Sequence, residues 1–354
     1  MKKFILASAL LVACGAAPSK DDPAPPSGPA VSVKVDTGKT KVTGDFVFSP
    51  SLSLDGGKLS FTIPAIVDPD DATKPIDPSK VAFTVTGKGG KDLRCSVSAD
   101  TTETKPKVDL VFVTDTTGSM SSTLSGVTKS IQAFVDSVAA EGVDMKLGLV
   151  AYGDLFAVKK VGSSLGGTAP LGAGDGSDSD RPFLDLTDVA TFKALNASLF
   201  ATGGGDAPEN TLGATKYAFD TITWRMGAAK VMFVTGDNSA HLPGNGTTYG
   251  VWNPPTAEAL IDLLKGNATV HTISPTLGGT YDFSLLAAAT GGKKFPLSNP
   301  DLTSLHFADW FTNSYKATCD SIEAGVYEIV ITATIEGVTK TWTANVTLGV
   351  DASR

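Results

Sequence analysis

The segment V-D-L-V-F-V-T-D-T-T-G-S-M-S, residues 108–121, joins a strand, an acidic turn and a helix start, and the rest of the architecture can be laid out around it. Val108, Leu110, Val111, Phe112 and Val113 form an apolar, largely β-branched run of the kind found in strands buried on both faces. The run stops at a turn in which Asp115, Thr117 and Ser119 alternate. Open α/β sheets bind ligands in the crevice at the carboxyl ends of their strands, and one carboxylate with two hydroxyls suits a hard cation. Thr116 to Ser122 also offers Ser/Thr N-caps for a following helix. Taken alone, the segment would equally fit a capped βα turn without a metal.

Downstream, strand-like and helix-like stretches alternate. A helix is expected over Ser121–Ala140, a strand over Met145–Tyr152, and helices over Val189–Phe200 and Pro208–Arg225. They are followed by strand Lys230–Val234, helix Thr256–Lys265, strand Ala268–Ile273, helix Tyr281–Thr290, strand Lys293–Pro296 and helix Asp301–Tyr315. This alternation predicts an α/β domain with a doubly wound, mostly parallel sheet and right-handed crossovers. Two further loops carry the same chemistry as the first. G-G-G-D-A-P-E, residues 203–209, places Asp206 and Glu209 beside a Gly-rich turn, with Pro208 suited to the first turn of a helix. V-M-F-V-T-G-D, residues 231–237, ends a buried strand with Asp237. Three acidic loops at one sheet edge repel one another unless a cation neutralises them.

Together, D-T-T-G-S-M, G-G-G-D-A-P-E and the strand ending in T-G-D resemble a von Willebrand factor A (VWA) domain with its metal-ion-dependent adhesion site. L-G-L-V-A-Y-G-D at 147–154 and A-A-A-T-G-G-K-K-F at 287–295 extend the likeness over about 200 residues. The resemblance implies that Thr117 and Ser119 coordinate a metal directly and that Asp115 acts through water. Glu209, with Asp206 beside it as a further candidate, matches the second loop of the subtype similar to integrin β chains, and Asp237 matches the third. T-G-D stands where T-D-G or T-D-A is usual, which leaves the register around Gly236 open. The implied cofactor is Mg²⁺, with Ca²⁺ or Mn²⁺ also compatible with the added carboxylate. The implied partner is a protein that supplies an acidic side chain to the open coordination position. In the family that event is coupled to movement of the last helix, here Asp301–Tyr315.

On either side of this domain the pattern is β. Short strands are expected at Val31–Val35, Lys41–Phe48, Lys58–Ile63, Val81–Val85 and Leu93–Val97, and a hairpin at Val326–Ile335 and Thr339–Leu348 with its turn at Glu336-Gly337. A two-stranded hairpin is marginal alone. The economical arrangement is a smaller all-β sandwich in two segments, 36–104 and 317–354, with the VWA-like domain, 105–316, inserted between them. Integrin β chains share that arrangement.

The amino terminus reads as an address. Lys2 and Lys3 precede an apolar stretch, Phe4 to Val12, too short to span a bilayer as a mature helix. L-V-A-C at 11–14 resembles the bacterial lipoprotein lipobox, which implies that residues 1–14 are a signal peptide and that Cys14 is lipidated as the first mature residue. More than one acyl chain would give stable anchoring. Gly15 after the cysteine implies the outer membrane by resemblance to enteric sorting. Residues 15–35 are Pro-, Ser- and Asp-rich and are expected to form a flexible tether. Cys95 and Cys319 remain, one on each side of the inserted domain in an oxidising compartment. They form either a disulfide, worth about 5 kcal/mol in the chain-entropy model for a loop this long, or two unrelated buried thiols, and the even count favours the disulfide.

With 354 residues, 42% of them hydrophobic, the chain is long enough for two cores. Its net charge of −8 and lack of basic clusters argue against nucleic acid. The three histidines show no metal-ligand spacing, the acidic stretch 170–182 lacks the Gly and Glu of a Ca²⁺ loop, and Asn196-Ala197-Ser198 has only the form of a glycosylation sequon. The expectation is a lipid-anchored envelope protein that binds a protein partner through a divalent cation. It is expected not to be an enzyme and to take no small-molecule substrate. The alternatives are a structural or envelope-assembly lipoprotein and a metal-dependent hydrolase. The hydrolase is disfavoured because oxygen ligands around Mg²⁺ activate water weakly and no general base is evident.

Overall fold

The computed structural model describes residues 31–44, 48–55, 58–62, 67–68, 71–75, 80–89, 92–99, 107–153, 158–161, 181–204, 207–243, 254–278, 281–307, 315–319 and 322–350. Cys14, Asp206 and the acidic stretch 170–180 lie outside them.

The amino-terminal strands are β1 (Val31–Thr43), β2 (Ser51–Asp55), β3 (Lys58–Thr62), β4 (Val67–Asp68), β5 (Asp71–Pro75), β6 (Val81–Lys88) and β7 (Leu93–Ala99). The central segment then runs β8 (Lys107–Asp115), α1 (Leu124–Ala140), β9 (Asp144–Tyr152), β10 (Val158–Val161), β11 (Arg181–Thr187), α2 (Val189–Ala197), α3 (Thr211–Thr221), β12 (Ala229–Thr235), α4 (Ala257–Leu264), β13 (Thr269–Ile273), α5 (Leu285–Thr290) and β14 (Lys294–Phe295). Strands β15 (Tyr315–Cys319), β16 (Gly325–Ile335) and β17 (Val338–Val350) close the chain.

Two sheets organise these elements. The α/β sheet has the order β10-β11-β9-β8-β12-β13-β14. β8 sits at its centre, parallel to β9 on one side and to β12 on the other. The strand order therefore reverses at β8, the point at which open α/β sheets place a crevice at the carboxyl ends of their strands. β8 is buried from Val108 to Asp115 without alternation, as a strand covered on both faces must be. One face carries α1, whose Leu124, Val127, Ile131, Phe134, Val135 and Val138 recur at helical spacing and are all buried. On that side Phe112 stacks on Phe233 at 5.0 Å, and Phe134 meets Phe233 edge-on at 5.1 Å. The other face is covered by α3, α4 and α5 through Leu212, Phe219, Leu260 and Leu286.

The second sheet is antiparallel, with the order β1-β17-β16-β6-β7-β15, so strands from before and after the α/β segment alternate in one ladder. The hairpin β2-β3 packs Leu52, Leu59 and Phe61 into the core of this sheet, with Trp342 and Ile331. Among the described residues this hairpin is the layer that faces the six-stranded sheet, an arrangement consistent with the expected sandwich. Glu336 and Gly337 both take positive φ, 48° and 87°, which gives the two-residue turn whose twist matches the β16-β17 strands. Cys95 and Cys319 face one another in the β7–β15 ladder and form a disulfide.

Several boundaries differ from the sequence expectation. Val31–Val35 and Lys41–Thr43 belong to one long strand with a register shift between Asp36 and Lys41, because β17 offers a 13-residue partner. β10 and β11 were absent from the expected element list, and β11 runs antiparallel to β9. The helix expected over Pro208–Arg225 ends at Thr221, and Arg225 lies in the loop beyond it. In place of a helix opening at Asp301 there is a 3₁₀ turn, Leu302–Leu305, capped by Asp301. Residues 308–314 are outside the described set, and Tyr315 opens strand β15 because it joins the β ladder opposite Ala99.

The two units meet at the end of the α/β sheet away from the carboxyl-terminal crevice. Trp342 Nε1 donates to Gly266 O at 2.8 Å, Ser51 Oγ to Ala228 O at 2.6 Å and Thr40 Oγ1 to Asn267 Oδ1 at 3.2 Å. Gly266 has φ 77°, and a Cβ there would lie 2.4 Å from Val42 Cγ2, so this contact requires glycine.

Candidate metal centre

β8 and β12 are hydrogen-bonded neighbours and end level with one another, Thr114 opposite Thr235. Asp115 therefore leaves the sheet beside the T-G-D turn. Asp115 is fully buried, and its Oδ1 accepts from Thr117 N and Thr117 Oγ1, both at 2.8 Å. This small ring folds the turn back on itself and points Thr117 at Ser119, with the two hydroxyl oxygens 3.0 Å apart. Ser119 Oγ then donates to Asp237 Oδ1 at 3.0 Å, linking the first loop to the third.

Backbone bonds hold the loops at this spacing. Gly118 N donates to Gly203 O at 2.9 Å and Thr202 N to Thr116 O at 2.9 Å, tying the first loop to the glycine-rich one. Glu209 forms a parallel bridge with Ala240: its N–H reaches Ser239 O, and its carbonyl accepts from His241 N, each at 2.9 Å. Glu209 is thereby fixed to the segment that carries Asp237. One carboxylate oxygen each from Asp115, Glu209 and Asp237 lie within 4.8 Å of one another, the first two residues buried and the third half-buried. These residues form an acidic cluster able to hold a metal ion.

The structure thus brings together five of the six candidates, Asp115, Thr117, Ser119, Glu209 and Asp237, while Asp206 lies outside the described residues. The inverted T-G-D order still delivers Asp237, because Gly236 takes the tight position. A Cβ on Gly236 would fall 2.6 Å from the Tyr152 hydroxyl and 3.3 Å from Asp115 Oδ2. Gly236 N also donates to Ile273 O at 3.2 Å, which extends the sheet by one bond before the chain turns.

Tyr152 is the residue that sequence inspection did not assign to the site. It ends β9, is fully buried, and its hydroxyl donates to Thr235 O at 2.8 Å and lies 3.0 Å from Thr211 Oγ1. Burial, followed by the nearby Asp115 carboxylate with smaller contributions from Glu209 and Asp237, holds its phenol well above the usual range. The phenol thus senses the negative field of the whole cluster. Its signal in the sequence was an aromatic closing a neighbouring apolar strand, which is also what a plain core residue looks like. His241 is buried beside Glu209, outside the acidic cluster, and His271 lies in the core stacked on Phe233 at 4.9 Å. Asn196 is fully buried with its amide on Thr128 O, so the sequon is inaccessible.

No family model matches the chain, and no curated protein matches it. Among solved structures it is similar to proximal thread matrix protein 1 from the mussel byssus, at 14% identity and TM-score 0.40, covering 65% of this chain and 50% of that one. A form of the same mussel protein with a zinc-occupied MIDAS motif gives 15% identity and TM-score 0.40 over 64% and 50% of the two chains. The pilus adhesin SpaC from Lactobacillus rhamnosus GG, in its open conformation, gives 14% and 0.39 over 86% and 51%. In each case the match spans about half the length of the other protein. At this degree of likeness, the ground for a functional reading is the geometry of the acidic site itself.

Proposed function

We propose that the chain is a VWA-type adhesion module that binds a protein partner through a divalent cation held by Asp115, Thr117, Ser119, Glu209 and Asp237, with Asp206 as a further candidate. The observation that supports this best is the convergence of three carboxylates and two hydroxyls from separate loops at the strand-order reversal. An all-oxygen donor set suits Mg²⁺, and equally Ca²⁺ or Mn²⁺, and such an ion supplies a positive centre for an acidic side chain of the partner. The crevice lies at the opposite end of the α/β sheet from the β unit, so a partner would approach from the side away from it. In this reading the lipobox at Cys14 anchors the β unit in the bacterial envelope, at the outer membrane, and the α/β domain faces outward to its partner. The role is binding rather than catalysis.

Calorimetric titration of the protein with Mg²⁺, Mn²⁺ and Ca²⁺, beside Asp115→Ala and Glu209→Gln, tests the site. Saturable binding in the wild type that is lost in Asp115→Ala is the expected result. In chelator, Glu209→Gln should melt above the wild type because one repelling carboxylate is gone, and with Mg²⁺ present the order should reverse. A wild type that binds none of the three ions would remove the metal-dependent reading and leave the fold.

A further inference from the structure

A second cavity lies far from the acidic crevice, between the two units. It measures about 260 Å³ and is bounded by Val33 and Leu52 of the β unit and by Trp224, Met226 and Lys230 of the α/β domain. Most polar groups around it are already satisfied. Arg225 spends its guanidinium on Asp109, Asp144 and the Val108 and Asp144 carbonyls. Asn267 bonds Thr40 and Leu263 O, Ser51 bonds Ala228 O, and Trp224 Nε1 bonds Phe219 O.

Lys230 differs from these. Its ammonium lies 5.5 Å from the Phe219 ring centre and 5.7 Å from that of Trp224, and it makes no hydrogen bond among the described residues. Asp109, the carboxylate whose charge acts on Lys230, has both oxygens engaged by Arg225. A half-buried ammonium resting on two aromatic faces lacks the acceptor that its desolvation calls for. Lys34 supplies a second, exposed cation on the β-unit wall. Around these charges the walls are mixed: Ser51, Arg225 and Asn267 are polar, while Val33, Leu52, Trp224 and Met226 give an apolar, partly aromatic side on which Met226 is 45% exposed.

We propose that this cavity binds a small aryl carboxylate, with the carboxylate on Lys230 and the ring against Trp224 and Met226. Such a ligand would touch both units at once, and its binding would strengthen their docking. The inference is independent of the metal reading, since none of these residues belongs to the acidic cluster.

Benzoate is the probe, with benzamide as its neutral isostere and N-acetylphenylalanine standing for a chain terminus. Binding to the full-length protein would be followed by calorimetry in chelator, for the wild type, Asp115→Ala, Lys230→Met and Met226→Trp, with circular dichroism to verify folding. The expected result is saturable benzoate binding at least about tenfold tighter than benzamide. It should be unchanged in Asp115→Ala, lost in Lys230→Met, and blocked by Met226→Trp, which fills the cavity without altering its charge. Tighter binding of N-acetylphenylalanine would place the natural carboxylate at a polypeptide terminus, and tighter benzoate would make it a free acid. Absence of saturable binding of either acid, equal binding of benzamide, or benzoate affinity retained in folded Lys230→Met would overturn the proposal.

Discussion

Gly236 shows how narrowly the acidic loops are spaced. The position has room for hydrogen only, because the Tyr152 hydroxyl would stand 2.6 Å from any Cβ. That hydroxyl is fixed by Thr235 O and Thr211, so the Gly236–Asp237 turn would have to move instead. Gly236→Ala should therefore cost about 1–3 kcal/mol of stability, the usual range for overpacking a buried site, and should weaken divalent-ion binding by displacing Asp237. Paired denaturant and metal titrations would check this. An alanine variant with wild-type metal affinity would mean that Asp237 does not need its observed place.

At the scale of elements, two devices hold the α/β sheet together. The first is at the amino ends of β8 and β9, where Arg225 bridges Asp109 and Asp144 at 2.6 and 2.7 Å. Asp109 is completely buried, and its carboxyl is raised by burial against the lowering effect of Arg225. Arg225→Ala would leave that carboxylate without its main counter-charge, and a loss of about 3 kcal/mol is expected in chemical denaturation, the low end for breaking a buried pair because Arg225 itself is partly exposed. The second device is His271 in β13, buried against Phe233, with Nδ1 accepting from Lys293 N at 3.0 Å. Burial, helped by the Lys293 charge, lowers its pKa from 6.5 to about 3. Between those values the unfolded chain takes up a proton that the folded chain refuses. The stabilisation is therefore complete above about pH 6.5 and declines as pH falls toward 3, at up to about 1.4 kcal/mol per pH unit. His271→Asn should be less stable at neutral pH yet show a flatter decline over that window, measured by denaturant midpoints at each pH.

Across the whole molecule, the chain enters the α/β domain after β7 and returns through β15, and the disulfide joins those two strands 224 residues apart in sequence. β15 is a five-residue strand whose only ladder partner among the described residues is β7. Cys95→Ser with Cys319→Ser should lower stability by about 2–5 kcal/mol. The loss should fall on the β unit, so amide exchange would rise in β7 and β15 while α1 and β8 keep their protection. Uniform loss across both units would instead mean that they unfold as one.

Much of the architecture was legible in the chain itself, because periodicity is a local property. The unbroken apolar run at 108–113, the helical spacing of α1 and the Glu336-Gly337 turn each state their structure within a few residues. The acidic loops were legible too, since carboxylates closing buried strands are costly without a purpose. What sequence could not supply was anything that depends on which strand lies beside which. The placement of β8 next to β12 brings Ser119 to Asp237 across 118 residues, and the bridge at Ala240 fixes Glu209 beside them. Tyr152, Gly236 and the Lys230 cavity take their meaning only from neighbours distant in the chain. Composition and spacing determined most of the elements, though not β10, β11 or the 3₁₀ turn after Asp301, and the chemistry at their ends. Tertiary packing alone decided which ends share one site, because that depends on contacts between segments whose separation in sequence carries no trace of their distance in space.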